Sequence, residues 1–371
     1  MTDETLRIVP LGGLGEIGKN MMVLELPSDI IIIDAGLMFP EEEMLGVDLV
    51  IPDIAYVRER REKLRGIIIS HGHEDHTGAL PYILRELRAP IYCTRLTHGL
   101  ISVKLREHNL LADADLRLVS PGEKIRLGEF QVEFVRVTHS IPDSCGVAVQ
   151  TPIGTVVHTG DFKLDHTPVM GEPTDLARLA ELGREGVLLL LSDSTYAEMP
   201  GYTASEQVVG EALDHIVARA SGRVIVATFA SLISRVQQVI DAAYRNDRRV
   251  FITGRSMTDN VQMALEQGYL QAPPGVLLPI EKLGGTRPER AVIVATGAQG
   301  EPTSALVRMA NQDHRQVRIS PGDTVVLSAS PIPGNEILIS RTVDNLWRRG
   351  AEVITSRTAN VHVRGHGARR S

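Results

Sequence analysis

Cysteine is nearly absent from this chain of 371 residues: Cys93 and Cys145 are the only two, far apart and in no CxxC spacing. A disulfide framework is not expected, and both read as buried free thiols. No apolar run approaches the ~20 residues that span a bilayer. Met1–Asn20 lacks the basic-then-apolar pattern of a secretory leader. A cytoplasmic protein with no membrane partner is the expectation. Internal repeats and low-complexity tracts are missing too. There is no basic excess either: 39 Lys and Arg against 46 Asp and Glu leave a formal charge of -7, which does not advertise a polyanion partner. What basic character there is clusters late, at Arg341, Arg348, Arg349, Arg357, Arg364, Arg369 and Arg370.

With 43% hydrophobic and 23% charged residues, the composition is that of a soluble globular protein long enough for two domains. Ile30–Ile33, Ile67–Ile69, Val156–Val157 and Val187–Leu191 read as strands, several of them buried on both faces. Lys124–Val137 alternates apolar and polar residues around Gly128-Glu129, the pattern of a hairpin. The character changes near Met199-Pro200-Gly201. Thr203 and Glu206 have capping-box spacing, followed by one apolar helical face from Val208 to Val217. Strands at 224–227, 250–253, 292–295 and 324–328 then alternate with helices near 231–244 and 259–267. That is the rhythm of an α/β domain with a parallel sheet. The expected boundary lies at residues 197–204.

The strongest chemical signal is Ser70-His71-Gly72-His73-Glu74-Asp75-His76-Thr77-Gly78, directly after the strand ending at Ile69. Packing does not explain three histidines and an aspartate within six positions. Imidazole and carboxylate are what zinc takes at about 2.0–2.2 Å. The HxHxDH spacing lets His71 and His73 face one metal from the turn, while Asp75 and His76 open the next helix towards a second. Gly72 and Gly78 are expected to let the backbone fold tightly there. His139 and Asp161 each stand at the C-terminal lip of an apolar strand. Alone, each reads as structural; after HxHxDH, each reads as a ligand, with Asp161 the natural bridging carboxylate. Two ions ~3.5–4 Å apart activate water and neutralise charge on phosphoryl oxygens, which is what phosphodiester cleavage needs. Such a pair adds about four positive charges at one spot, so the net charge of -7 counts little against a nucleic-acid substrate.

This series resembles the metallo-β-lactamase superfamily, and further motifs narrow the resemblance to the ribonuclease J family. Pro10–Asn20, Asp34–Pro40 and Thr138–Asp143 are similar to that family in the first half, although Gly12–Asn20 by itself is only a glycine-rich turn. Ser192–Thr195, Phe229–Arg235, Gly254–Met257, Thr296–Pro302 and Ser328–Glu336 are similar to it around the β-CASP insert. The resemblance runs from about Leu6 to Gly367. It implies a metallo-β-lactamase αββα sandwich with an inserted β-CASP α/β domain: residues 1–200, then 201–355, with the return into the first domain starting at 356–371. It implies a ribonuclease with endonucleolytic and 5′-3′ exonucleolytic activity on single-stranded, 5′-monophosphorylated RNA. Two Zn2+ ions, or Mn2+ in part, would be held by His71, His73, Asp75, His76, His139 and Asp161. Asp75, Asp193, His362 and His366 form the implied catalytic set, with His366 donating to the scissile phosphate. Ser328, Ser330, Gly334, Asn335, Arg255 and Arg364 are the implied phosphate-binding residues. The family's assemblies are dimers or tetramers.

Three departures stand out. Arg364 occupies a place where a small polar residue is usual, and Ser234 one where a histidine is frequent. The family's further histidine ligand and its following domain have no counterpart before Ser371. The chain is therefore expected to be a piece of a longer protein, with some strand surface uncovered and the second metal site one ligand short. Two other readings stay open: a small-molecule metallo-hydrolase of thioesterase or lactamase type, and an RNA-binding piece without turnover.

Overall fold

The computed structural model describes residues 5–40, 44–332 and 334–369. Pro333 of the Ser328–Glu336 motif and Arg370 of the basic cluster lie outside the described residues. The chain forms two compact units. Among the described residues, the first holds those up to His166, Gly171–Thr203 and those from Gly365 on; the second holds Thr167–Met170 and Ala204–Arg364. The return thus starts at Gly365 rather than at 356. The reason is local. Glu352–Ile354 is a strand of the second unit's sheet, and the carbonyl of Val361 is held there by Arg235 Nη1 at 2.8 Å and by Ser328 Oγ at 2.6 Å.

Two sheets build the first unit. One has six strands in sequence order: β1 (Arg7–Gly12), β2 (Met21–Glu25), β3 (Ile30–Ile33), β4 (Leu64–Ile68), β5 (Ile91–Cys93) and β6 (Leu116–Leu118). Its first two pairings are antiparallel and the rest parallel. The other has β7 (Lys124–Leu127), β8 (Phe130–Arg136), β9 (Cys145–Thr151) and β10 (Gly154–His158) as an antiparallel meander, with β11 (Leu189–Leu191) added in parallel at the β10 edge.

The period of a strand decides the layering. Ile31 and Ile33 face the second sheet, packing with Ile68 against Phe130, Val132, Phe134, Val147 and Val149. Ile30 and Ile32 face the opposite way, onto Leu80, Ile83, Ile101 and Leu105 from the helical layer. Each of these side chains leaves water almost entirely, contributing roughly 1.5–3 kcal/mol apiece. Val135, Ala148 and Val157 cover the outer face of the second sheet with Leu182 of the helix Leu176–Glu185. The result is the αββα sandwich expected.

Of the apolar runs read as strands, Val187–Leu191 forms one at Leu189–Leu191 but is not among those buried on both faces: Leu188 is 56% and Leu190 59% exposed. β11 is an edge strand, paired only with β10 among the described residues; Leu191 packs against the core between the sheets while Leu189 and Leu190 stay exposed.

The second unit is a six-stranded parallel sheet, in the order β14-β13-β15-β12-β16-β17 for β12 (Val224–Ala227), β13 (Arg249–Thr253), β14 (Leu277–Leu278), β15 (Ala291–Ala295), β16 (Thr324–Leu327) and β17 (Glu352–Ile354). Its strands are near-continuous Val, Ile and Ala, as burial on both faces requires. The capping box before the helix Gln207–Arg219 does not form. Thr203 Oγ1 donates instead to the carbonyl of His366 (2.8 Å), and Glu206 accepts from Arg235 Nη2 (2.6 Å). Burial of the Arg235 guanidinium makes a carboxylate partner worth more than a helix cap.

Candidate metal centre

Six polar groups of the candidate centre stand just past the C-terminal end of a strand. Asp34 follows β3, Ser70 and His71 follow β4, His139 follows β8, Asp161 follows β10 and Asp193 follows β11. The two sheets are tied at this edge by a hydrogen bond from Cys145 N to Ser70 O (2.9 Å). Strand interiors are apolar and fully paired, so the strand ends are where polar side chains can converge without disrupting a ladder.

His71 Nε2 lies 3.0 Å from His73 Nδ1, which lies 3.2 Å from His139 Nε2. Hydrogen bonds on the far side of two rings fix which nitrogen is bare. His139 Nδ1 sits 2.7 Å from the carbonyl oxygen of Gly365, which only accepts, so Nδ1 carries the proton and Nε2 a lone pair. Ser70 Oγ donates its single proton to Asp34 Oδ2 (2.8 Å) and must accept from His71 Nδ1 (3.0 Å), leaving His71 Nε2 bare as well. Burial holds His71 and His139 well below the usual imidazole range, helped by their neighbouring histidines, and brings His73 down to about 4. Three neutral imidazoles thus turn ring nitrogens on one point, those of His71 and His139 bare. A tetrahedron with arms of ~2.0–2.1 Å has edges of about 3.3 Å, so the 3.0 and 3.2 Å separations fit one cation.

Asp161 and His76 mark a second position. Asp161 Oδ2 is 3.2 Å from His76 Nε2 and 3.9 Å from both His71 Nε2 and His139 Nε2, so one carboxylate borders both donor groups. Burial disfavours charge on both partners. Even so, the carboxylates of Asp161, Asp75 and Asp34 hold His76 well above its usual range, and the histidines hold Asp161 well below its own. A cation bound between them takes the place of the shared proton. Asp75 stands at the rim: its Oδ2 is 3.6 Å from His76 Nε2, but it does not join the groups whose ligand atoms lie within 4.8 Å of one another. Those groups are His71–His73–His139, His71–His76–Asp161 and His139–Asp161–His366.

His366 reaches the same edge. Its Nδ1 donates to Asp193 Oδ2 at 2.7 Å, and its Nε2 is 3.8 Å from Asp161 Oδ2. Burial opposes a charge on the ring, but the bond to Asp193 and the carboxylates of Asp161 and Asp75 outweigh it and raise the imidazole above its ordinary range. His362 and Arg364 are half-buried in the second unit. Of the implied phosphate ligands, Arg255 is exposed at the start of the helix Arg255–Glu266, and Ser330 and Asn335 are half-buried. Two others have partners within the chain. Ser328 is fully buried with its hydroxyl committed to Val361 O, and Gly334 N already donates to Glu336 Oε2 at 2.9 Å.

The glycines of the histidine loop also act differently from expectation. Gly72 and Gly78 do not adopt left-handed backbone. They make room: a Cβ would stand 2.5 Å from Leu100 Cδ1 at Gly72, and 2.4 Å from Leu37 at Gly78.

Two residues escaped the sequence reading as members of the centre. Asp34, buried at φ 64°, accepts from Ser70 N (2.7 Å), Ser70 Oγ (2.8 Å) and His76 Nδ1 (2.7 Å). One carboxylate therefore orients His76 directly and His71 through Ser70. Asn20 Nδ2 donates to Asp75 O at 3.1 Å and lies 3.1 Å from His76 Nε2, clasping the loop. The hint for Asp34 was its place at a strand end, shared with the ligands. Asn tolerates the left-handed region about as well as Asp, so Asp34→Asn removes the charge without straining the backbone. Chelator-competition titration is expected to show metal affinity falling about 10–100-fold, with the circular dichroism spectrum unchanged.

Comparison with known proteins agrees with this architecture. A family model described as metallo-beta-lactamase superfamily matches residues 14–198, and one described as ribonuclease J, beta-CASP domain, matches residues 221–346. Ribonuclease J of Thermus thermophilus is 48% identical over 372 residues, which is 98% of this chain and 65% of the relative. Ribonuclease J of Synechocystis is 47% identical (98% and 57%), and ribonuclease J2 of Bacillus subtilis is 45% identical (98% and 66%). The chain thus spans 57 to 66% of the length of these curated relatives. A crystal structure of a protein of unknown function from Enterococcus faecalis shares the fold, with a TM-score of 0.67 at 15% identity over 97% of this chain and 88% of that one. With a metallo-β-lactamase sandwich carrying a β-CASP domain and a histidine–aspartate donor set at its strand ends, the chain belongs to the ribonuclease J family.

Proposed function

We propose that this chain carries the catalytic centre of a divalent-metal-dependent ribonuclease, zinc-loaded in the leading case, that hydrolyses phosphodiester bonds of single-stranded RNA. Both endonucleolytic and 5′-end-directed cleavage in RNA processing and decay belong to this reading, with 5′-monophosphorylated RNA the favoured substrate and a dimer or tetramer the working form. The observation that carries it is the convergence of three imidazole nitrogens, at successive separations of 3.0 and 3.2 Å, beside the carboxylate of Asp161.

His71, His73 and His139 would hold one ion, and His76 with Asp161, and Asp75 from the rim, a second. Ions bound there supply Lewis acidity, acidifying a water and neutralising charge on the phosphoryl oxygens. Asp34, through His76 and Ser70, keeps the ligand rings in register. Water attacks phosphorus, the bond to the ribose oxygen breaks, and that oxygen needs a proton. His366 is placed to give it from Nε2, with Asp193 on Nδ1 fixing the ring and favouring its charged form.

The test is cleavage of a 5′-monophosphorylated oligoribonucleotide by the zinc- or manganese-loaded chain. Loss of cleavage on adding EDTA, with a chromogenic β-lactam untouched, is the expected result. Intact RNA together with lactam or thioester hydrolysis overturns the reading in favour of a small-molecule hydrolase. Two bound metals with RNA retained but uncleaved turns it into a binding piece.

A further inference from the structure

The loop after Asp193 carries aromatic groups that the chemistry above leaves unused. Two consecutive turns shape it, with Ala197 N donating to Ser194 O (3.1 Å) and Met199 N to Tyr196 O (3.0 Å). Asp193 Oδ1 starts the loop by accepting from both N and Oγ1 of Thr195. The turns set the ring of Tyr196 edge-on to His366, centroids 5.8 Å apart and planes at 67°. The His366 imidazole in turn lies 3.8 Å from Asp161 Oδ2, so the tyrosine borders the reaction centre itself.

The same loop leaves Met199 39% and Tyr202 78% exposed. It is tied to the chain that bears His366: Arg369 N donates to Met199 O (2.9 Å), and Thr203 Oγ1 bonds both His366 O (2.8 Å) and Ala368 N (3.1 Å). The side chain of Arg369 is exposed. Aromatic residues make up only 4% of this chain, so composition alone does not explain two tyrosines on one short loop beside the centre. Tyr196 is half-buried, while Tyr202, Met199 and Arg369 are exposed on chain segments tied to each other; π-faces, a thioether and a guanidinium so grouped suit a flat heteroaromatic group attached to a phosphate.

We propose that the Tyr196–Tyr202 loop is a nucleobase platform, stacking a base of the RNA next to the scissile phosphate while Arg369 meets a neighbouring phosphate. The proposal rests on the ribonuclease reading and adds how the strand is gripped. Stacking tolerates any base, because every base has a π-face. The platform therefore distinguishes the presence of a base from its absence, not one base from another.

The experiment is equilibrium binding, so its outcome does not depend on turnover. A fluorescein-labelled oligoribonucleotide of about six nucleotides and an abasic oligomer of the same length and charge are titrated with the full chain and followed by anisotropy. The wild-type chain is expected to bind the base-bearing oligomer about tenfold or more tightly than the abasic one. Tyr196→Ala and Tyr202→Ala should each bring that ratio towards one with little change in abasic affinity. Tyr196→Phe should keep it, since the ring and not the hydroxyl stacks. Equal wild-type affinity for the two oligomers, an unchanged ratio in both alanine variants, or a ratio lost in Tyr196→Phe overturns the platform. If neither oligomer binds, the ribonuclease reading fails first and the platform falls with it.

Discussion

Asp161→Ala is expected to lower bound metal from two ions to at most one and to reduce RNA cleavage on the order of 10³-fold. Its Oδ2 lies beside both donor groups, 3.9 Å from the imidazoles of His71 and His139 and 3.2 Å from that of His76. Removing it takes away the anion that offsets the second cation. It also takes from His76 the neighbour that favours its charge most, leaving Asp34 and Asp75 beside the ring. Lewis-acid stabilisation of a phosphoryl transition state is worth several kcal/mol, and each ~1.4 kcal/mol is a factor of ten in rate. Elemental analysis of the purified variant, paired with single-turnover cleavage, checks both halves. Two retained ions at full occupancy would show that Asp161 does not bridge. Asp161→Asn sharpens the result, since it keeps the size and one oxygen but drops the charge.

Much of this centre was legible in the chain because its signals are local. HxHxDH places four donors on one turn, and the Ile-rich runs before it are strands whichever way they pair. The histidine and the aspartate further on were legible only in series, each by its place at a strand lip. What escaped depends on partners distant in sequence. Asp34 reads as a turn aspartate, and its role appears only once β3 and β4 lie in parallel and bring Ser70 beside it. Thr203 and Glu206 have the spacing of a helix cap, but their hydroxyl and carboxylate are taken by His366 and Arg235, 163 and 29 positions away. Separating a buried ion pair leaves one charge unpaired at roughly 3–5 kcal/mol, against about 1 kcal/mol for a cap, so the tertiary partner wins. The burial of Ser328 was hidden for the same reason. A serine in a turn-like motif reads as an exposed donor, and burial beside Arg235 was not encoded in its neighbours. Val187–Leu191 does form a strand, but an apolar run specifies a strand and not whether a neighbour covers it.

His366→Ala separates proton delivery from metal binding. On the acid reading, RNA cleavage should fall about 10²–10⁴-fold, the usual worth of a positioned proton donor, while bound metal stays as in the wild-type chain. The geometry supplies a competing outcome, because His139, Asp161 and His366 also form a donor group of their own. If His366 is a ligand, its removal lowers metal content along with the rate. The leaving group gives an independent discrimination. A ribose oxygen departs poorly without a proton, whereas p-nitrophenolate leaves unaided. The variant should therefore retain near wild-type turnover of a p-nitrophenyl phosphodiester even as RNA cleavage collapses. Asp193→Asn should produce a milder version of the same split. It keeps an acceptor for His366 Nδ1 but removes the charge that holds the proton on the ring. Equal losses on both substrates with full metal content would mean that His366 does not deliver the proton and acts instead on a step common to both, such as holding the phosphate.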